Sequence, residues 1–515
     1  MSKKVSHWSE VISNKIVRAK EEPFTIAAGI TTSGPCHIGT ACEFLYPSAI
    51  VKYLKREGHE VEFVFVGDLM DALDSVPEPL REFKFLNDWL GRPLFKVPDP
   101  YGCCGSYGDH FLNEVADLMQ QFEITAKILK TNELIHAGTY DPYVKLLFEK
   151  RSVVNDVAQR IAELSGSRGL PDWVNIVMPI CDNCGRISTT RVVGLYGDVV
   201  EYEDDGDVKY TQGCGYKGEM RISDHNYKLY WRLDWPSRQD FLNVSAEMAG
   251  IDHHTRGGSW DTAVAIHKEV FGKEPPVGQR YGFVLLRGKK YSKSAGIGLS
   301  VQELLKLVPP EIIKYRLFRP DIEENKNFNP SGYSLIKLYG DYDEAADLYE
   351  KEEELRRAEN KKVLAYTLST ESRKWRVNFT YLLIHYQIYN DWDKITERLN
   401  DREGIRYLSK YIENWVEEEY QPEEFAFSLK PEKTDRLNSE LADFASKLQP
   451  DMTADEVHEL VYDVAKKWNV KTPELFKVLY TSLIGKEYGP RLGGTITAIG
   501  VGKVKKILGK NYPSK

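Results

Sequence analysis

The sequence predicts an α/β fold built on a doubly wound parallel sheet, joined to an all-helical last third. Three observations carry that expectation. An apolar strand, a glycine-bearing turn, a helix and a second apolar strand follow one another within residues 24–68, and about 45 residues suit one right-handed βαβ crossover. Another apolar run, 280–288, opens onto a polar, glycine-bearing loop at 289–298. Beyond about residue 300 the apolar positions recur at helical spacing.

Taken in order, residues 1–20 place Trp8, Val11, Ile12, Ile16 and Val17 as one apolar stripe among charges. That is an amphipathic helix, without the continuous apolar core of a signal peptide. FTIAAGI (24–30) reads as a strand and TTSGP (31–35) as a turn. The stretch 37–57 has helical spacing through Ile38, Cys42, Leu45 and Leu54, with Pro47 expected to kink or weaken one turn. HEVEFVFVGD (59–68) is apolar almost throughout, as in a strand buried on both faces. Residues 90–220 are less periodic, hold five of the seven cysteines and read as an insertion between the halves of the sheet. In the last third, Leu437, Leu441, Phe444 and Leu448 share one helix face, and Val457, Leu460, Val461 and Val464 another. Thr453 with Glu456 forms a capping box, and Thr472-Pro473 reads as a cap followed by a first-turn proline.

Composition bounds the function. At roughly 100–200 residues per domain, 515 residues suggest about three domains. Hydrophobic residues at 42% and charged residues at 28% exclude a disordered or collagen-like chain. No uncharged apolar stretch of about 18 residues exists, so no membrane-spanning helix is expected. A cytoplasmic protein with reduced thiols follows, in which clustered cysteines point to metal. The net charge of −8 gives no general polyanion affinity, although local patches act within about 10 Å. The final fifteen residues carry five lysines and no acid, a solvated tail or a phosphate contact.

Two elements carry chemistry. In Ser33-Gly34-Pro35-Cys36-His37-Ile38-Gly39-Thr40, the strand stops sharply and His37 falls in the first helical turn. Free N–H groups and the positive dipole end gather there, which suits phosphate. In Lys290-Tyr291-Ser292-Lys293-Ser294, two lysines three apart sit in a glycine-flanked loop after a strand. That suits a lid bringing ammonium groups onto a triphosphate. Each alone is compatible with an ordinary turn or a solvated basic loop. Cys181-x-x-Cys184 has zinc-knuckle spacing, with Cys214 thirty residues on from Cys184. Its fourth ligand is open: His225 would complete a Cys3His set, or the site is degenerate.

The paired signature, together with several longer blocks, resembles class I lysyl-tRNA synthetases of the archaeal type. The blocks are Gly29-Ile30, Ser33-Gly34, His37-Ile38-Gly39, Gly67-Asp68-Leu69-Met70-Asp71, Tyr230-Trp231-Arg232-Leu233-Asp234-Trp235-Pro236 and Asp252-His253-His254 with Gly257-Gly258-Ser259-Trp260-Asp261. Pro309-Pro310-Glu311 and Gly489-Pro490-Arg491-Leu492-Gly493 extend the match to nearly the whole chain. Thr32, Thr40 and Tyr291 depart from it, standing where proline, histidine or asparagine, and methionine are usual.

The resemblance implies a Rossmann-like catalytic domain in two halves, 1–90 and 221–300, interrupted by a zinc-bearing region at 91–220. A stem-contact connection (301–345) and an all-helical anticodon-binding domain (346–515) would follow. It implies ATP-dependent ligation of L-lysine to tRNA(Lys) through a lysyl-adenylate, with Mg²⁺, and activation that requires bound tRNA. A glutamyl, glutaminyl or cysteinyl enzyme, or an idle tRNA-binding paralogue, are the rival readings. Catalysis would fall to His37, Lys290 and Lys293, with Ser33, Gly34, Gly39, Thr40, Ser292 and Ser294 at the nucleotide. Gly29, Thr31, Trp231, His253 and Tyr281 would line the lysine pocket, with Asp68 or Asp71 as a partner for the ammonium. Asp99, Cys103, Cys104 and His110 resemble a further zinc site of the archaeal members, with Cys104 in place of a histidine. A cysteine three or four residues before Cys214 would be expected, where Thr211 and Tyr210 stand.

Overall fold

The computed structural model describes residues 6–167, 169–286, 289–290, 299–351, 360–432, 434 and 436–510, with 289, 290 and 510 described by backbone alone. The chain forms two compact units. One comprises Met1–Leu304, Ile313–Phe328 and Asn360–Ser369; the other comprises Leu305–Ile312, Asn329–Glu359 and Thr370–Lys515.

The first unit begins with helix α1 (Trp8–Ala19), which buries Trp8, Ile12 and Ile16 and leaves Val11 and Val17 exposed. Strand β1 (Phe24–Thr31), helix α2 (Ile38–Arg56) and strand β2 (Val61–Asp68) then make the expected crossover. Helix α3 (Tyr107–Gln121) leads to β3 (Lys127–Lys130), and after the insertion come β11 (Ala246–Gly250) and β12 (Val277–Tyr281). These five strands form one parallel sheet in the order β12-β11-β1-β2-β3. The chain winds one way from β1 to β3 and the other way from β11 to β12. The direction reverses between β1 and β11, and a crevice opens at the carboxyl ends of the strands at such a point. Register puts Thr31 beside Asp68 and Gly250 beside Tyr281 at that edge.

One local expectation is corrected, and the proline expected to kink or weaken a turn lies inside a continuous helix. Helix α2 runs unbroken through Pro47. A proline inside a helix costs about 3 kcal/mol, but α2 buries Phe44, Leu45, Tyr46 and Ile50 completely, each worth about 1.5–3 kcal/mol. The apolar run 280–288 is not a single strand. β12 ends at Tyr281, and Gly282 donates its N–H to Ile322 O at 3.0 Å before β13 (Val284–Leu286) begins. A Cβ at Gly282 would lie 2.4 Å from Glu324 O, so only glycine permits this close turn.

Of the region expected as the insertion, 91–220, α3 and β3 belong with the main sheet; the remainder starts with helices α4 (Thr131–His136), α5 (Asp141–Glu149) and α6 (Arg151–Ser165). Strand β4 (Val177–Pro179) pairs antiparallel with β10 (Tyr227–Leu229) as a ribbon at its root. Between them, β5 (Thr190–Tyr196), β6 (Val199–Asp204) and β9 (Lys217–Arg221) form a small antiparallel sheet, and β7 (Asp207–Val208) and β8 (Thr211–Gln212) a short ribbon. Helix α7 (Trp231–Phe241) returns the chain to the main sheet.

Among its described residues, the second unit is helical in every regular element, with helices that include Tyr333–Tyr349, Arg402–Glu417 and Ala454–Lys467. The last of these carries the expected capping box: Thr453 Oγ1 accepts Glu456 N at 3.2 Å and Glu456 Oε2 accepts Thr453 N at 2.7 Å. Thr472, expected as a cap, is instead the first helical residue, with Lys471 as the cap. Tyr339 stacks on Phe379 with centroids 3.8 Å apart, and buried Trp415 donates to Pro330 O at 2.7 Å.

Candidate active site

A cavity of about 490 Å³ opens at the carboxyl edge where the winding reverses. The ends of β1, β2, β11 and β12 and the first turns of α2 and α7 meet there. Of the residues expected at a site, Gly29, Thr31, His37, Gly39, Thr40, Asp68, Asp71, Trp231, His253 and Tyr281 all line it. Ser33 and Gly34 are not among the lining residues; they shape the turn ahead of α2. Ser33 O accepts the Tyr107 hydroxyl at 3.0 Å, and Gly34 has φ of +143°, where a Cβ would meet Pro77 Cγ at 2.8 Å.

His37 caps α2, its Nδ1 accepting Thr40 N at 3.0 Å. A Cβ on Gly39 would lie 3.0 Å from the imidazole, so glycine leaves room for the ring to fold over the helix end. The site faces the positive end of a helix of nineteen residues, a natural seat for phosphate. The lid expected at 290–294 is described only at its root: Lys290 pairs with Leu285 as the end of a short strand, β14 (Lys289–Lys290). Ser292, Lys293 and Ser294 lie outside the described residues. The returning chain is anchored beside the cavity, because Ser300 pairs with His37 and Val301 N donates to Cys36 O at 2.8 Å. Both stems of the segment therefore start from the cavity rim.

The walls are aromatic. Trp231 stacks on Trp235 with centroids 5.2 Å apart, His253 lies 6.1 Å from Trp231, and the Arg238 guanidinium sits 5.4 Å above the Trp231 ring. Trp231 Nε1 is buried and has no hydrogen-bond partner among the described residues. A Cβ on Gly29 would come within 2.7 Å of Val66 O and 3.5 Å of Arg238 Nη2, so a side chain there would crowd the floor.

Asp68 and Asp71, expected as partners of a ligand ammonium, line the cavity beside a cation of the chain. Both carboxylates already hold a cation of the chain itself: buried Lys228, whose Nζ is 2.6 Å from Asp68 Oδ2 and in contact with Asp71 Oδ1. Thr131 Oγ1 also donates to Asp68, at 3.0 Å. Burial raises the Asp68 carboxyl most, but the charge and hydrogen bond of Lys228, with Arg238 and the Thr131 hydroxyl, together outweigh it and the net shift is downward. Burial lowers the Lys228 ammonium, yet the two carboxylates more than reverse that. At Asp71, burial and the Asp68 charge win, and its carboxyl is raised.

Glu43, which sequence reasoning missed, lines the cavity and accepts the Tyr281 hydroxyl. Desolvation pushes its carboxyl up to about 8, against the pull of that hydrogen bond. It sits on α2 beside Cys42, one carboxylate in an apolar helix, and that was the only available signal.

Two donor clusters fit a metal. Asp99, Cys103, Cys104 and His110 bring one ligand atom each within 4.8 Å of one another. Cys103 Sγ lies 3.5 Å from Cys104 Sγ and 3.3 Å from His110 Nδ1, which is 3.2 Å from Asp99 Oδ1. The second cluster is Cys181, Cys184, Asp204 and Cys214. Its Cys181 and Cys214 sulfurs are 3.7 Å apart, matching the roughly 3.8 Å between thiolates on a tetrahedral zinc with bonds of about 2.3 Å. His225 is not part of it, because its Nε2 is held at 3.0 Å by Asp141 Oδ2. Thr211 and Tyr210 are not part of it either, Thr211 being paired to Val208 in the β7–β8 ribbon. Asp204, at the end of β6, supplies the fourth donor.

The family model described as tRNA synthetases class I (K) matches residues 6–371, and one described as an anticodon binding domain matches 387–509. A lysine–tRNA ligase of Archaeoglobus fulgidus is 32% identical, covering 98% of this chain and 99% of its own. One from Methanosarcina barkeri is 31% identical, over 95% of this chain and 94% of its own. One from Pyrococcus horikoshii is 29% identical, over 96% and 97%. With matches over more than half of its length, this chain belongs to the class I (K) tRNA synthetase family.

Proposed function

We propose that this chain ligates L-lysine to tRNA(Lys) in the cytoplasm, at the expense of ATP. The observation that carries the reading is a shared cavity, in which the α2 N-terminus with His37 faces an aromatic pocket holding the Glu43 carboxylate. A triphosphate needs the first; an amino acid with two ammonium groups suits the second.

In the first step, a lysine carboxylate oxygen attacks the α-phosphorus of ATP. The bond to the β-phosphate oxygen breaks, and pyrophosphate leaves with the electron pair. In the second, the 2′-hydroxyl oxygen of the terminal adenosine attacks the lysyl carbonyl. AMP leaves, and the hydroxyl proton passes to its phosphate or to solvent. The protein forms no covalent bond; it positions the reactants and stabilises developing charge. His37 and the N–H groups of Ile38 and Gly39 hold phosphate oxygens, with Thr40, whose own N–H is given to His37 Nδ1, beside them. Lys290 and Lys293, with Ser292 and Ser294, are assigned to neutralising the leaving pyrophosphate, and Mg²⁺ carried by the nucleotide would add counter-charge. Glu43 pairs with a lysine ammonium, and Trp231, His253 and Tyr281 enclose the side chain.

Zinc in the two donor clusters would cross-link the segment leading into α3 and the small-sheet part of the insertion, without entering either step. Asp99, Cys103, Cys104 and His110 would hold one ion, and Cys181, Cys184, Asp204 and Cys214 the other. The helical unit takes the anticodon loop, where splayed bases stack on aromatic or arginine side chains. Lysine-dependent ATP–pyrophosphate exchange, measured with and without tRNA(Lys), tests the reading. Exchange that depends on glutamate, glutamine or cysteine and not on lysine would replace it with another class I activity. No exchange with any amino acid would leave a tRNA-binding paralogue.

A further inference from the structure

We propose that Lys228 is a positioning residue of the amino-acid pocket: by holding Asp71 as an anion, it commits the Thr31 hydroxyl proton away from the cavity. Thr31 then offers only acceptor lone pairs to a ligand ammonium. The inference rests on the lysine-ligase reading and adds a residue that the reaction above does not use.

The geometry is a relay of three groups. Lys228 stands on β10, opposite Met178 of β4, so it belongs to the root of the insertion. Its ammonium enters between Asp68 and Asp71, touching Asp68 Oδ2 at 2.6 Å and Asp71 Oδ1. The other Asp71 oxygen, Oδ2, accepts the Thr31 hydroxyl. Thr31 and Asp71 both line the cavity. An ammonium can only donate and an ionised carboxylate only accept. The proton between Thr31 and Asp71 therefore belongs to Thr31, and the hydroxyl lone pairs are what remain for a ligand.

Removing the cation reverses this polarity. Asp71 faces Asp68 across the vacated position, with Thr31 on the other side. The charged groups Asp234 and Arg238 and the phenol of Tyr210 lie within electrostatic range of the cluster. Burial and Asp68 already raise the Asp71 carboxyl while Lys228 is present. Without Lys228, Asp71 takes up a proton and donates it to Thr31 Oγ1. The Thr31 proton then turns to the cavity and opposes an ammonium.

Four variants, Lys228→Met, Asp71→Asn, Thr31→Val and the Thr31→Val/Asp71→Asn double, read this out in lysine-dependent ATP–pyrophosphate exchange with tRNA(Lys), each compared with the unaltered enzyme at every pH from 6 to 9. Lys228→Met raises the KM for lysine at least ten-fold near pH 7, with the KM for ATP within two-fold. The ratio to the unaltered enzyme shrinks as pH rises and Asp71 ionises. Asp71→Asn keeps the Lys228–Asp68 pair and so the fold. Its amide donates to Thr31 at every pH, so its ten-fold rise in lysine KM is constant across the range. On a Thr31→Val background, Asp71→Asn adds nothing. Unchanged lysine KM in Asp71→Asn overturns the inference, as does equal loss for lysine and ATP, a full Asp71→Asn effect on Thr31→Val, or a lower lysine KM in Lys228→Met. Absence of exchange in the unaltered enzyme refutes the ligase reading instead.

Discussion

The Cys184 thiol donates to Asp204 Oδ2 at 3.0 Å, and the second oxygen of the same buried carboxylate accepts the Thr189 hydroxyl at 2.5 Å. Asp204 is thereby aimed at the three cysteines by a neighbour that is not itself a donor to the metal. Orientation of a ligating carboxylate by an outer hydrogen bond is how such sites fix their geometry. The protein as purified should contain two zinc ions per chain. Asp204→Ala should lose one, Asp204→Cys should keep both, and His225→Ala should keep both; elemental analysis of each variant measures this. Loss of zinc from His225→Ala with retention in Asp204→Ala would reverse the ligand assignment.

Glu43 gives the pocket a pH dependence whose sign can be worked out. Its carboxyl is raised to about 8, chiefly by desolvation, so below that pH the empty site is neutral at this position. An ammonium is attracted only to the ionised form, so lysine should bind more tightly as pH rises from 6.5 towards 8 and level off above it. The limiting slope is ten-fold per pH unit. Calorimetric titration of lysine at several pH values checks this, and Glu43→Gln should bind weakly with a flat profile.

Lys293→Ala should lower the rate of ATP–pyrophosphate exchange at least ten-fold and leave tRNA binding by filter retention unchanged. A lysine that neutralises the leaving pyrophosphate acts in the transition state, so the loss belongs in kcat. An undiminished exchange rate removes Lys293 from the reaction.

Trp231→Ala should raise the lysine requirement more than the ATP requirement. Its indole stacks on Trp235 at the pocket wall, among the aromatic groups expected to enclose the lysine side chain. Steady-state KM values for both substrates decide it, and equal shifts would place the ring outside the amino-acid pocket.

Much of the architecture was legible before any coordinates. The apolar runs and helical spacing across 24–68 reflect forces local to each element, and β1, α2 and β2 follow them within a few residues. His37 could be put at a helix start because glycine and proline end a strand wherever they occur. The 280–288 run misled because burial and strand continuity give the same apolar signature. Only the contact of Gly282 with Ile322, forty residues on, breaks it. At Pro47 a local penalty is outweighed by packing that local sequence does not contain.

The sequence by itself determined which chemistries were available: a phosphate-binding helix end, basic residues in a glycine-flanked loop, aromatics for a cation, and thiols for metal. The tertiary structure alone decided which charges meet. Lys228 reaches Asp68 across 160 positions, Glu43 takes the Tyr281 hydroxyl, and Asp204 rather than His225 joins the cysteines. Pairing of buried charges is set by distance in space and by the absence of water between partners, and neither quantity is written in the spacing of residues along a chain.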